Sequence, residues 1–170
     1  MTVSVALCTY NGETYLRPQL DSILAQSVVP DEIIVCDDIS KDATVQILEE
    51  YKNQFPQIRI FVNPENLGFI KNFEKAINLC TKDIIVICDQ DDLWETDKIS
   101  TILTFFTENK NRDGVFHDMS LIEGDEVKDS YLNWKNISYE QIQNTIAQKQ
   151  LFGMIINRGS FILGLSLIHI

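Results

Sequence analysis

The sequence predicts an α/β fold with a mostly parallel central sheet and helices on both faces, and three observations predict it. Short apolar, β-branched runs alternate with stretches in which apolar residues recur every three or four positions. That is the pattern of buried parallel strands joined by crossover helices. Three polar clusters, Thr9-Tyr10-Asn11-Gly12, Asp37-Asp38 and Asp89-Gln90-Asp91-Asp92, each follow one of those runs. In open α/β sheets ligands gather outside the carboxyl ends of the strands. Finally, 170 residues at 45% hydrophobic and 23% charged content suffice for one domain with a core of its own.

Residues 3–8 read as the first strand, and 13–26 as a helix with Leu16, Leu20, Ile23 and Leu24 at helical spacing. Residues 32–36 form the second strand. Ser40 or Asp42 is placed to cap the next helix, which carries Val45, Ile47, Leu48 and Tyr51. Residues 58–62 are a third strand and 63–66 a turn. A helix at 70–80 bears Phe73, Ala76, Ile77 and Leu79, strand 84–88 follows, and a helix runs from about 96 to 110. Beyond residue 113 the pattern is less regular. Residues 115–119 read as a fifth strand, 123–126 as a polar turn, 138–148 as a helix capped by Ser138, and 151–157 as a strand. Residues 161–170 are apolar with no turn or cap, and Leu165 to Ile170 resemble translated adapter sequence more than a natural terminus.

The charge balance, 14 − 25 = −11, disfavours nucleic-acid binding and leaves no polybasic patch for anionic lipid. No run of about 18 apolar residues is present, so no transmembrane segment is expected. The opening residues lack the basic stretch of a signal peptide, which points to the cytoplasm. Cys8, Cys36, Cys80 and Cys88 form no C-x-x-C pair and read as small buried hydrophobes of a reducing compartment. His117 and His169 are not spaced with them for zinc.

The acidic run after residues 84–88 is the most informative feature. Carboxylates crowded at a strand end repel one another and lose solvation. A hard divalent cation, Mn²⁺ or Mg²⁺, with oxygen ligands and open positions for phosphates compensates them. A solvated acidic turn is the plainer alternative for Asp-x-Asp alone, as a helix-cap turn is for Asp37-Asp38.

Taken together, Val5-Ala6-Leu7-Cys8-Thr9-Tyr10-Asn11-Gly12, Ile33-Ile34-Val35-Cys36-Asp37-Asp38-Ile39-Ser40-Lys41-Asp42-Ala43-Thr44, Asn66-Leu67-Gly68 with Asn72, and Asp89-Gln90-Asp91-Asp92-Leu93-Trp94 resemble family 2 glycosyltransferases. The rhamnosyltransferase-type branch is the most similar. The resemblance implies the type A glycosyltransferase fold, a Rossmann-like nucleotide-diphospho-sugar transferase sandwich, here incomplete at its C-terminal side. It is close over residues 2–120. One truncated domain is expected: 1–120 as the nucleotide-sugar-binding half, 121–164 as the start of the acceptor-side half, and 165–170 as a non-native tail.

The resemblance implies transfer of a sugar from a nucleoside-diphosphate donor to a saccharide or lipid-linked acceptor hydroxyl. It also implies peripheral association of the full-length protein with the inner face of the membrane. By the same resemblance Asp91 holds the metal, Asp89 lies near the ribose or the metal's waters, and Asp92 supports them. Asp38 accepts a hydrogen bond from the pyrimidine ring N–H, selecting uracil or thymine, Thr9 and Tyr10 form the wall and floor of the base pocket, and Asn11, at the tight exit of the strand with Gly12, is among the nucleotide-binding residues. Asn66-x-Gly68 reads either as a turn with positive φ at Gly68 or as a nucleotide contact. Trp94 reads as a core anchor or a sugar platform, Lys98 as a phosphate partner or a solvated residue, and His117-Asp118 as a donor-sugar or acceptor-side pair.

An inverting transferase needs a carboxylate base on the acceptor side. The chain has no Asp or Glu after Glu140, so the base is expected beyond Ile170. A non-catalytic nucleotide-sugar-binding or interaction module is therefore the main alternative. Phosphohydrolase and receiver-domain readings require an acid after the first strand, where Cys8-Thr9-Tyr10 stands.

Overall fold

The computed structural model describes residues 1–111, 115, 117–123, 126–138 and 140, and the backbone of 168–169. In chain order the elements are β1 (Val3–Thr9), α1 (Leu16–Leu24), β2 (Glu32–Asp37), α2 (Thr44–Gln54), β3 (Ile58–Val62), α3 (Phe69–Leu79), β4 (Ile84–Cys88), α4 (Lys98–Glu108), β5 (Ser120–Glu123), β6 (Glu126–Ser130), α5 (Tyr131–Trp134) and β7 (Ile168–His169).

One compact unit comprises residues 1–115 and 167–170. Its sheet has the order β3-β2-β1-β4-β7, parallel throughout except for β7, which runs antiparallel beside β4. Every residue of β1 and β2 is buried, as expected of strands covered on both faces. On one face Val3, Val5, Leu7, Ile33, Val35, Ile84 and Val86 pack in one core with Leu16, Leu20 and Ile23 of α1, Ile47 and Leu48 of α2, and Ile99, Ile102 and Phe106 of α4. α3 lies against β1 and β2, buries Phe73 and Ala76, and sends Asn72 Nδ2 to the Cys36 carbonyl at 2.8 Å.

At the amino edge of the sheet Glu32 is buried. Burial pushes its carboxyl up, but hydrogen bonds from Ser4, from the Thr81 amide and hydroxyl and from Arg59 outweigh that and hold it low. All four cysteines are free, and three are buried. Burial pushes the Cys36 and Cys80 thiols up to about 11.

The second unit, residues 116–166, contains the β5–β6 hairpin and α5. Ser130 Oγ caps α5, and Tyr131 and Leu132 pack with Met119, Leu121 and Ile137.

Three expectations change. α1 begins at Leu16, because the Gly12 carbonyl takes the Tyr15 and Leu16 amides while Glu13 turns away to Asp42 and Ala43. Residues 117–119 are not a strand, since the Asp118 carboxylate takes the Met119 and Leu132 amides and ladder pairing starts only at Ser120. Of the two capping candidates, Asp42 accepts the Thr44 amide, and the Ser40 hydroxyl is used by Asp37 and the Asn11 amide. The helix expected at 138–148 lies almost wholly outside the described residues, and the strand at 151–157 lies entirely outside them.

Candidate functional site

β1, β2 and β4 end side by side, and the strand order reverses between β1 and β4. Ligands of doubly wound sheets sit in the crevice at such a switch point. The three polar clusters fall at these ends, and side-chain hydrogen bonds tie their loops together.

Gln90 bridges the crevice. Its Oε1 accepts the Tyr10 amide at 2.9 Å and its Nε2 donates to the Tyr10 carbonyl at 3.1 Å. Gly12 leaves room for it, since a Cβ there would stand 2.2 Å from Gln90 Oε1. Asn11 leaves the strand at φ 48, a conformation asparagine tolerates. Its Oδ1 accepts the Lys41 amide at 2.7 Å, and the Gly12 amide donates to Thr44 Oγ1 at 2.8 Å.

After β2 the two aspartates have separate duties. Asp37 is fully buried and accepts from Thr9 Oγ1 at 2.8 Å and the Ser40 amide at 2.9 Å. Asp38 is 3% exposed. Its Oδ1 accepts from Asn63 Nδ2 and the Leu67 amide, and its Oδ2 from the Gly68 amide, at 2.7 to 2.9 Å. Asn66 closes the same turn, with Oδ1 to the Gly68 amide and Nδ2 to the Asp38 carbonyl. Gly68 has the positive φ, 74°, expected for it.

Between Asp38 and Ser40 the chain places Ile39 at φ 62. A β-branched residue there is strained, by about 1–2 kcal/mol. Ile39→Gly is accordingly expected to stabilise the chain by about 1 kcal/mol, read as a higher urea midpoint. A lower midpoint would mean that packing of the half-buried isoleucine outweighs the strain.

The acidic segment is only weakly compensated, by Lys98 alone among the described residues. Burial, then Asp92 and Asp91, pushes the Asp89 carboxyl up to about 8. Burial and Asp91 also raise Asp92, against an opposing pull from Lys98. None of the described residues donates a hydrogen bond to the carboxylates of Asp89, Asp91 or Asp92, and Asp91 is exposed. Lys98 lies with Nζ 4.1 Å from the centroid of the buried Trp94 ring, and burial holds its ammonium down to about 8. Trp94 itself belongs to the core.

Among the described residues no three His, Cys, Asp or Glu side chains converge to hold a metal unaided. The donor set still fits a hard divalent cation, because its oxygens are unpartnered and mutually repelled. Such an ion would complete its shell with water and ligand phosphates.

Several expected site residues are already engaged. Thr9 bonds Asp37, and Asn66 holds its own turn. His117 Nδ1 meets the Asp118 carbonyl at 2.6 Å, while the Asp118 carboxylate organises the second unit. Gln90 as a clamp, and the buried polar residues Gln19 of α1 and Gln26 just past its end, are not marked by the sequence motifs. A glutamine among the core-facing positions Leu16, Leu20 and Ile23 was the signal available for Gln19.

A family model described as glycosyl transferase family 2 matches residues 4–161. A dTDP-rhamnosyl transferase of Shigella flexneri is 38% identical over 102 residues, 57% of this chain and 35% of its own length. The crystal structure of S. aureus TarS residues 1–349 in complex with UDP-GlcNAc superposes with a TM-score of 0.67 at 28% identity, covering 76% of this chain and 37% of that one. A mannosyltransferase of Pyrobaculum calidifontis in complex with GDP-Man and Mn²⁺ gives a TM-score of 0.57 at 26% identity, over 61% of this chain and 32% of that one. The chain spans less than half the length of the curated relatives it matches. The parallel sheet, its switch-point crevice and these matches together place the chain in glycosyl transferase family 2, with the type A glycosyltransferase fold.

Proposed function

We propose that this chain is the donor-binding part of a glycosyltransferase that moves a sugar from a UDP- or dTDP-sugar to a saccharide or lipid-linked acceptor. The observation that carries the proposal is the crevice between β1 and β4. There the unpartnered carboxylates of Asp89, Asp91 and Asp92 stand beside the exposed Tyr10, held by Gln90.

In this reading Asp38 faces the pyrimidine. A carboxylate offers about four lone-pair sites. Three donors occupy Asp38, two on Oδ1 and one on Oδ2, which leaves a place on Oδ2 for a ring N–H. Uracil and thymine supply that N–H and cytosine does not. Tyr10 offers an exposed ring beside the base, and Asp91, with Asp89, would hold Mn²⁺ or Mg²⁺. A bound cation would neutralise charge growing on the departing diphosphate. Lys98 brings a second positive group to the same end of β4. Residues 141–170 contain no Asp or Glu, so the acceptor-side base of an inverting transfer is not among them.

The relatives support this reading through what they bind: UDP-GlcNAc in TarS, GDP-Man with Mn²⁺ in the mannosyltransferase. Titration with UDP, dTDP and CDP, with and without Mn²⁺, tests it. Saturable UDP or dTDP binding, strengthened by Mn²⁺ and weaker for CDP, is the expected result. A folded chain that binds none of them would leave an interaction module as the better account.

A further inference from the structure

α1 and the turn that follows it carry polar residues where packing alone would place apolar ones. Gln19 and Ser22, three residues apart, share one side of the helix, and Gln26 follows two residues past its end. Gln19 and Gln26 are 0% and 4% exposed. Buried amides cost stability unless their polar atoms find partners. Gln19 Oε1 has none among the described residues, so Gln19 is held at a cost to core stability.

Besides local bonds from Ser22 Oγ to the Gln19 carbonyl and from Gln26 Nε2 to the Ser22 carbonyl, the partners of these residues lie in one segment, residues 88–99. Gln19 Nε2 donates to Cys88 Sγ at 2.9 Å, and that thiol donates to the Asp89 carbonyl at 3.1 Å. The Trp94 amide donates to Ser22 Oγ at 3.1 Å. Gln26 donates through Nε2 to the Glu95 carbonyl at 2.7 Å and accepts the Ile99 amide on Oε1 at 3.0 Å. Next to it, the Ser27 amide reaches the Thr96 carbonyl at 2.7 Å. These grips fall on both sides of Asp89, Asp91 and Asp92, yet none of them touches a carboxylate.

We infer that Gln19, Ser22 and Gln26 are positioning residues, which hold the acidic segment from behind so that its carboxylates stay close together and unpartnered. The inference rests on the donor-site reading above. Crowded carboxylates repel, and a segment free to move would spread them into water. Tethers on its backbone oppose that movement without consuming the oxygens a cation needs.

The test compares the parent chain with Ser22→Ala, Ser22→Thr and Gln26→Met. Uridine affinity, UDP affinity with and without Mn²⁺, and the thermal midpoint are measured, with thymidine and dTDP substituted if the parent prefers them. In Ser22→Ala and Gln26→Met the gain that Mn²⁺ brings to UDP binding is expected to fall about tenfold or more. Uridine affinity should hold, and Ser22→Thr, which keeps the hydroxyl, should restore the gain. Variants that keep the full Mn²⁺ gain, or lose uridine and UDP affinity in equal proportion, overturn the inference. If Gln26→Met does not fold, the Ser22 pair decides alone. A folded parent that binds no nucleotide removes the donor-site reading and this inference with it, whereas a binding parent with indifferent variants removes only this inference.

Discussion

Asp91→Asn is expected to abolish the Mn²⁺-dependent part of nucleotide binding while leaving the fold unchanged. The side chain is exposed and no described residue hydrogen-bonds to its carboxylate, so its removal breaks no packing. Exposed substitutions of this kind stay within about 0.5 kcal/mol. The change also takes one negative charge away from Asp89 and Asp92, both of which Asp91 pushes up. The cost falls on the cation. A neutral amide oxygen is a far weaker ligand than a carboxylate, and loss of a direct ligand should exceed the roughly 10–100-fold typical of outer partners. Calorimetry with UDP at several Mn²⁺ concentrations reads this directly. If the variant keeps its Mn²⁺ dependence, the cation is held by Asp89 or Asp92 and Asp91 is a bystander.

Asp38→Ala should behave in the opposite way, with a large loss of stability as well as of binding. Its carboxylate holds Asn63 Nδ2 and the amides of Leu67 and Gly68. Truncation strips the acceptor from the Leu67 amide and from one N–H of Asn63, whose other N–H keeps Asn72 Oδ1, while the Gly68 amide keeps Asn66 Oδ1. That Asn63 N–H is buried and pays the full desolvation cost, while water can partly replace the partner of the half-buried Leu67. At about 1–3 kcal/mol for each buried unmet donor, a loss of about 3 kcal/mol is expected in urea unfolding. Nucleotide affinity should fall about tenfold or more, because a charged hydrogen bond is worth roughly 1.5–3 kcal/mol. Asp38→Asn separates the two effects. It keeps one acceptor oxygen for the turn, but its amide can donate to cytosine N3, so CDP should gain on UDP. An unchanged CDP to UDP ratio would confine Asp38 to a structural role.

Each of these two sites was visible in the sequence to a different depth. Asp91 follows an apolar run, and its neighbours at positions 89 and 92 share its charge, so crowding could be read directly from spacing. The double duty of Asp38 could not, because its partners lie 25 to 30 positions away. The same holds for Gln90, whose partner Tyr10 is 80 positions back. Ile39 shows a third kind of gap. Nothing in its identity announces a left-handed backbone, and the strain exists because Asp38 and Ser40 on either side are both tied down.

Local pattern was enough to determine the alternation of four strands and four helices, the edge at which the acidic clusters meet, and the family resemblance. Each of those depends on hydrophobic period or on residues adjacent in the chain, which short-range sterics and burial dictate. Helix starts moved by several residues and the expected fifth strand gave way to β5, because Gly12, Glu13 and Asp118 made hydrogen bonds that outcompeted the local preference. Only the tertiary structure decided that β4 lies beside β1 rather than beside β3, which creates the crevice. It alone decided that Gln19, Ser22 and Gln26 face residues 88–99. Both are pairings between residues some 70 to 80 positions apart, chosen by which buried polar groups can satisfy one another once the sheet has assembled.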